Sequence, residues 1–598
     1  MKSLDSETSF MRASSRYPGD RAEGSMRPGD DGMLANWNSP PRVRYKVIID
    51  KTADGCMVRA GFSLEDRPGE GYPRRTGAFV PGSRGQYDKI PVESCGTRRS
   101  DRLRLQAVKE TASDSVCGEE NPRPSDLDGG RALIHTFYIE TFGCQMNERD
   151  SETIGALLSR EGLKETFDPR LADVVVLNTC AVRESAESKV WSRLGKLAAM
   201  RRGGEMPVLV LAGCMAQIPE NVERVRMRVP FVQVIAGPGN IERIPALVKQ
   251  ASGARKGGKA AAAETPFIAV STPRTAAGRD ESTQVLPEGL PRRETPGVSA
   301  YVTIMYGCDN FCAYCVVPFV RGPQVSRPRA AIREEVESLA SRGYKEVTLL
   351  GQNVNAYGRD LGEKDGFSAI LREVNGIPGI ARVRYFTSHP RDFTREMVDA
   401  VRDCGKVCEH FHLPLQSGSD RILRLMNRGY SRDEYVALLD YIRERVPAAS
   451  VTTDVIVGFP GETEKDFQDT LGLVRRAQFD GAFTFIFSPR KGTAAAKMKG
   501  QVSRAEKSRR MQLLVETQSE VTRARNRDLL GHEVEILVEG PDEKQPGAFR
   551  GRTRTNKTVI AVRDDRAGSG APEIRPGDLV RVCIREAGTW YVKGPVAG

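Results

Sequence analysis

Three cysteines, Cys308, Cys312 and Cys315, stand in the run GCDNFCAYCVVP with C-x3-C-x2-C spacing, and they supply three thiolates with no obvious fourth. A structural zinc site closes its tetrahedron with four protein ligands, usually two C-x2-C or C/H pairs. A four-iron cluster held by three cysteines instead leaves one iron open to an exogenous ligand, and chemistry can occur there. The run follows an apolar, strand-like segment, AYVTIMYG, and Tyr314 stands directly before the last cysteine. A zinc loop or unrelated buried thiols are the competing readings.

A second set, Cys144, Cys180 and Cys214, falls in FGCQMNE, NTCAVRE and AGCMAQ, each just after a strand-like segment: HTFYIETFG, ADVVVLNT and PVLVLAG. The helical segments SETIGALLSREG and ESAESKVWSRLGKLAAMRR lie between them, and a helix-rich end follows near Ile241 to Gln250. This alternation predicts a doubly wound parallel sheet. Ligands bind such a sheet beyond the carboxyl ends of its strands. Each cysteine alone reads as a small buried hydrophobe, but three placed alike in successive units predict a second three-cysteine cluster site.

From about Val298 to Arg490 six candidate strands recur: AYVTIMY, KEVTLLG, RVRYFTS, HFHLPLQ, SVTTDVIVGF and AFTFIFS. Amphipathic helices such as AAIREEVESLASRG and EYVALLDYIRERV separate them, which predicts a partial (β/α)6 barrel. Its mouth would gather the cluster loop, LLGQNVN, TSHP, LPLQSGSD and VGFPGET. Gly458, Pro460 and Gly461 form a tight turn that lets backbone approach a ligand, with Glu462 read as a cap on the next helix. Arg321 and Arg327 are candidates for binding carboxylate or phosphate, with surface salt bridges as the alternative. Cys408, His410 and His412 alternate along one strand and face one way; they read as barrel interior, with a metal site as the alternative. Cys404 reads as a helix-end thiol and Cys583 as core of the C-terminal barrel.

With 598 residues the chain is long enough for several cores. The boundaries read as a mostly disordered extension over 1–130, an α/β domain over 131–250, a solvated linker over 251–296, the partial barrel with a trailing helix over 297–527, and a small β-barrel over 528–598. Cys56, Cys95 and Cys117 in the extension lack metal-like spacing, and Met11, Met26 and Met33 are compatible with a start codon placed too far upstream. Twelve cysteines are too sparse for a disulfide scaffold, and no secretory leader pattern opens the chain, so a reducing cytoplasm is expected. No apolar run approaches the roughly 18–20 residues of a membrane span. The net charge of +12 favours an anionic partner. In the last domain the arginines, lysines and Asn556 of FRGRTRTNKTVIAV are candidates for tracking a phosphate backbone, against a solvated charged surface.

The first cysteine run resembles the radical S-adenosylmethionine (SAM) enzymes, whose open iron binds SAM and whose cluster cleaves it to a 5′-deoxyadenosyl radical. Over roughly residues 134–596 the chain further resembles the methylthiotransferases of that superfamily. The phrases IETFGCQMNERDSE, VVLNTCAVRESAESKV, HLPLQSGSDRILRLMNRGY, TDVIVGFPGETEKDF and FSPRKGTAAA carry the likeness. Gln145, Met146 and the TSHP of Thr387 to Pro390 point to the tRNA-2-methylthio-N6-dimethylallyladenosine synthases. The branches acting on threonylcarbamoyladenosine or on a ribosomal-protein aspartate have a different first-cysteine context.

The resemblance implies a SAM-cleaving 4Fe–4S cluster on Cys308, Cys312 and Cys315, and an auxiliary cluster on Cys144, Cys180 and Cys214, 4Fe–4S or 3Fe–4S in isolation. Around SAM it implies Tyr314; Gly351, Gln352 and Asn353 at the amino group; Gln416 and Ser417 at the methionine or ribose, with Ser417 otherwise a helix cap; and Gly458, Pro460 and Gly461 at the adenine. It implies methylthiolation of C2 of N6-isopentenyladenosine at position 37 of a tRNA anticodon stem-loop, an electron donor such as flavodoxin or ferredoxin, a sulfur source, and a C-terminal TRAM domain, a module associated with RNA binding. An unactivated aromatic C–H explains the radical, because no side-chain base removes that proton near neutral pH. Gln324 departs from the family, which more often carries glutamate there; a carboxylate lost from an arginine pair would weaken a charge-assisted bond. A non-catalytic iron–sulfur RNA-binding protein and a zinc-binding regulator are the alternatives of another class.

Overall fold

Runs such as VVVLNT and VLVLAG are apolar at nearly every position, and only a sheet covered on both faces can bury them. The computed structural model describes residues 44–52, 55–63, 134–182, 184–200, 207–256, 266–270, 287–293, 297–563 and 573–597. Near the start, β1 (Arg44–Thr52) and β2 (Gly55–Ser63) pair as an antiparallel hairpin. The rest of the stretch expected to be disordered, with Cys95 and Cys117, lies outside the described residues.

The first domain is a parallel sheet of β3 (Thr136–Thr141), β4 (Lys164–Glu165), β5 (Val174–Thr179), β6 (Val208–Gly213), β7 (Val232–Ala236) and β8 (Phe267–Ala269), in the order β4-β3-β5-β6-β7-β8. Successive side chains on a strand point to opposite faces. Val174, Val176, Val208 and Val210 therefore pack on helices Gln145–Arg160 and Ile244–Lys256. Val175, Leu177, Leu209 and Leu211 pack on the opposite face with Val190, Leu194 and Val225. The doubly wound expectation holds, with more strands than the three read from sequence. The solvated-linker reading of 251–296 is corrected in part: helix Ile244–Lys256 runs into it, β8 is a sheet strand within it, and Arg292 forms a largely buried ion pair with Glu335.

The central domain begins with β9 (Ser299–Thr303) and a short antiparallel pair, β10 (Met305–Tyr306) with β11 (Val325–Ser326). Then come β12 (Glu346–Leu350), β13 (Arg382–Tyr385), β14 (His410–His412), β15 (Ser450–Val457) and β16 (Gly481–Ile486). Parallel pairing gives β9-β12-β13 and β14-β15-β16, and a parallel bridge between Val383 and Val407 joins the two sets into the partial six-stranded barrel. Helix starts are set locally: Ser431 and Thr463 each accept an N–H three residues on, and Glu434 and Asp466 reach back in capping boxes. Thr463 is thus the cap that was expected to be Glu462. Glu462 is buried and instead accepts the Gly458 N–H at 2.6 Å and pairs with Arg510 at 2.7 Å. His410 and His412 both hydrogen-bond the Thr452 hydroxyl, in accord with the barrel-interior reading.

Helix Arg504–Arg527 leads into a curled sheet of β17 (Glu533–Pro541), β18 (Ala548–Thr553), β19 (Thr558–Val562), β20 (Leu579–Cys583), β21 (Glu586–Ala587) and β22 (Val592–Pro595), ordered β20-β17-β18-β19-β22-β21. A bridge between Val582 and Val596 bends it around a core of Ile536, Val538, Val559 and Val582. The turn between β18 and β19 enters the barrel at the starting ends of its strands. Arg382 donates to the Arg552 carbonyl at 2.6 Å, and Arg384 to those of Thr553 and Arg554 at 2.8 and 3.0 Å. Arg554 forks onto Glu409, and Lys557 pairs with Asp480 at 2.8 Å. The basic turn expected to track phosphate is committed to plugging the barrel foot; Arg552 itself pairs with Glu539 and reaches Asn556 Oδ1.

Arg384 and Glu346 form the innermost ion pair of this plug, 2.7 Å apart with side chains 3% and 8% exposed. Arg384→Met leaves Glu346 buried without its cation, and urea unfolding should register a loss of about 3–5 kcal/mol. A loss below about 1 kcal/mol would show that the plug does not depend on this pair.

Candidate active site

The loop of Cys308, Cys312 and Cys315 is held at its base by the β10/β11 pair. Gly307 lies at φ +63, and a Cβ there would stand 1.8 Å from the Pro323 carbonyl, so only glycine lets the strands approach. The middle of the loop is pinned from across the barrel: Ala313 N–H donates to the Met426 carbonyl at 2.9 Å, and Ala495 N–H to that of Ala313 at 2.8 Å. Val317 N–H donates to Cys315 Sγ at 3.4 Å. Buried Arg428 donates to Cys312 Sγ at 3.3 Å, to Tyr314 Oη at 3.4 Å and to the Pro414 carbonyl at 3.0 Å. Burial pushes the Cys308 thiol up to about 11 and the Cys315 thiol up to about 12.

The second triad sits at the carboxyl ends of β3, β5 and β6, as expected. Cys144 precedes helix Gln145–Arg160, Cys180 follows β5, and Cys214 opens the short helix Cys214–Gln217. Gly143 and Gly213 make the approach possible: a Cβ on the first would lie 2.6 Å from Cys180 Cβ, and on the second 2.4 Å from Asn178 Oδ1. Asn147 and Asn178 lock the two turns together, exchanging amide hydrogen bonds at 2.8–3.0 Å. Val182 N–H donates to Cys180 Sγ at 3.3 Å. Arg321 donates to Cys214 Sγ at 3.2 Å and pairs with Asp150 at 2.6 Å, their side chains only 5% and 3% exposed. Cys214 packs with Ala181, Val316 and Val320. The two triads are thus separated by the short helix Val317–Val320 and Arg321.

These residues fit iron–sulfur clusters. All six cysteines are free thiols. Each triad has one sulfur receiving the N–H of the residue two positions on, and one receiving a buried guanidinium, which complements an anionic thiolate-bound centre. Among the described residues no three of His, Cys, Asp and Glu converge tightly enough for one metal ion. A four-iron cluster takes its thiolates on separate irons, so its donors stand wider apart than the ligands of one zinc.

The other candidates lie at the same mouth, with differing roles. Gly351 abuts Met305, where a Cβ would be 2.5 Å from its Cγ. Asn353 donates to Asp392 at 2.7 Å, and Asp392 also receives Asn310 of the cluster loop and pairs with Arg359 and Arg391. Burial raises the Asp392 carboxyl, but these donors outweigh it and hold it at about 2. Gln416 is fixed at φ +67 by bonds to Asp454 and Ile456. Ser417 is turned inward to Thr470, and the cap of helix Asp420–Leu425 is Ser419. Gly458, φ +72, leaves room for Lys507, Pro460 is buried, and Gly461 N–H donates to Gly500. Arg321 and Arg327 are internal rather than surface residues; Arg327 forks onto Glu288 and pairs with Glu335. Gln324 donates to the Ala356 carbonyl at 2.8 Å and to Asp360 at 3.2 Å, so the amide suits the carboxylate it meets.

Sequence reasoning missed Arg428, Asp392 and the burial of His389. His389 is 4% exposed, edge-on to Tyr430, with neither ring nitrogen partnered. Gln352 Oε1, Asn353 Oδ1 and Ser388 Oγ nearby also lack partners. Such atoms cost roughly 1–3 kcal/mol each until something pairs them, which fits a mouth completed by a polar cofactor.

Two outcomes follow from this geometry. Arg321→Met strands Asp150 and should destabilise the cofactor-free chain by about 3–5 kcal/mol, whereas Arg321→Met with Asp150→Leu should recover most of that in urea unfolding yet retain less iron on reconstitution. Burial, then Arg428, push the His389 imidazole down to about 2, so it stays neutral when folded. The unfolded chain takes up that proton first, and stability should fall as pH drops below about 6.5, by up to roughly 1.4 kcal/mol per pH unit. His389→Asn should flatten the slope of urea stability against pH between about pH 6.5 and 5.

Residues 302–474 match the radical SAM superfamily, and residues 136–237 match an uncharacterized protein family, UPF0004. The tRNA-2-methylthio-N(6)-dimethylallyladenosine synthase of Moorella thermoacetica is 47% identical over 459 residues, covering 77% of this chain and 98% of that protein. The proteins of the same name from Acetivibrio thermocellus and Pelotomaculum thermopropionicum are 44% and 45% identical, each covering 77% of this chain, with 90% and 97% of their own lengths matched. With both cysteine triads inside the matched regions, this chain belongs to the radical SAM family of tRNA-2-methylthio-N(6)-dimethylallyladenosine synthases.

Proposed function

We propose that the chain exchanges the C2 hydrogen of N6-dimethylallyladenosine in tRNA for a methylthio group. The observation that carries this reading is the meeting of two cysteine triads across one short helix, in a chain that aligns with nearly the whole length of its relatives. When bound, SAM and its iron–sulfur cluster supply a radical able to take an unactivated aromatic hydrogen. Cys308, Cys312 and Cys315 would hold that cluster, and Cys144, Cys180 and Cys214 an auxiliary one that carries or donates sulfur. Arg428 and Arg321 would offset the charge of the two centres from within the protein, where burial keeps water from competing. Asp392, ionised and held by arginines, orients Asn353 at the mouth, and Asn310 ties the cluster loop to it. An electron donor such as flavodoxin or ferredoxin and a separate sulfur source complete the turnover. The activities for which the relatives are named favour neither threonylcarbamoyladenosine nor a ribosomal aspartate as target.

The test is anaerobic incubation of the iron- and sulfide-reconstituted chain with SAM, reductant and isopentenylated tRNA, read by mass spectrometry of the nucleosides. 2-Methylthio-N6-isopentenyladenosine should form, and Cys308→Ala or Cys180→Ala should each abolish it. Deoxyadenosine without the modified nucleoside would keep the radical chemistry and reject the substrate.

A further inference from the structure

Phe311 and Phe319 are large apolar side chains left 40% and 36% exposed beside the two cysteine triads. Phe311 stands between Cys308 and Cys312, and Phe319 lies on the helix whose Val320 packs against Cys214. Their rings meet edge to face, 6.2 Å between centroids. Phe311 takes φ +46, a left-handed conformation that costs a bulky side chain of order 1–3 kcal/mol and gathers at functional sites. Asn427, itself at φ +56, holds it there by donating to the Phe311 carbonyl at 3.0 Å. Val182, two residues past Cys180, is 48% exposed as well. Exposed apolar groups therefore accompany both triads, while Arg321 and Arg428, which donate to the sulfurs, are buried.

Resting on the tRNA reading above, we propose that Phe311 and Phe319 form an apolar subsite that receives the dimethylallyl chain of the substrate. In adenine, C2 and C6 both flank N1, so the N6 substituent lies on the same side of the base as the carbon to be modified. A base presenting C2 to the space between the triads must lay its branched five-carbon chain against the adjoining wall. Arg321, Arg428 and Asp392 cannot cover hydrocarbon favourably, whereas two aromatic rings can. The strained backbone of Phe311 is then the cost of aiming its ring outward instead of into the core.

The test uses the full chain with both centres reconstituted and measures fluorescence anisotropy with anticodon stem-loop RNA, with and without the dimethylallyl group. The unaltered chain should prefer the prenylated RNA by roughly tenfold or more. Phe311→Gly, which relaxes the backbone while deleting the ring, and Phe319→Ala should each lower that preference to about threefold or less, with Phe311→Leu and Phe319→Leu intermediate. An unchanged preference overturns the proposal. So does equal weakening for both RNAs, which would make the rings a stacking platform for loop bases. If the unaltered chain shows no preference, the dimethylallyladenosine reading itself fails, before any variant is considered.

Discussion

The pairing of Arg321 with Asp150 is the constraint around which the rest of the molecule is arranged. Arg321 belongs to the barrel, six residues past Cys315, and Asp150 to the first-domain helix that opens just after Cys144. Two charges taken this far out of water stabilise nothing unless every remaining donor and acceptor is satisfied. Arg321 meets that condition by also donating to Cys214, and the apolar seal of Ala181, Val316 and Val320 closes over the contact. The junction therefore ties the barrel segment that follows Cys315 to the second cysteine site, and the separation of the two sites is set by packed side chains and not by a hinge.

A second layer of control is steric. Gly143, Gly213 and Gly307 each precede a cysteine where any side chain would collide with a neighbouring turn. The backbone can then bring sulfur to the edge of the sheet or barrel while the strand behind it keeps regular geometry. Gln416 and Phe311, without that freedom, hold left-handed conformations at the same mouth because hydrogen bonds from neighbouring segments fix them.

The cysteine triads and the strands beneath them were legible because their signals are local: apolar runs of strand length, each ending in a cysteine. The barrel was legible from the same periodicity. β8 was not, since FIA is three residues inside a low-complexity stretch and owes its strand to pairing with β7. Arg428 and Asp392 were hidden because their partners, Cys312 and Asn353, lie far away in sequence. Glu462 looked like a cap because it stands two residues before a helix, but Thr463 offers the shorter hydroxyl at the cap position and Glu462 finds a buried arginine instead. The turn RTRTNK reads as an RNA stripe by charge alone, and only the carboxylates of Glu409 and Asp480 waiting in another domain redirect it.

Helix Arg504–Arg527 has Lys507 against the Phe487 carbonyl, just past the end of β16, and Arg525 near Asp480, just before its start. Its 24 residues extend about 36 Å, so it runs alongside the barrel from mouth to foot, where the plug fastens the C-terminal sheet. That sheet is consequently no free-swinging module on a tether. The helix and the plug together act as a brace, so the distance from the barrel mouth to the C-terminal sheet is set by covalent length and packed contacts.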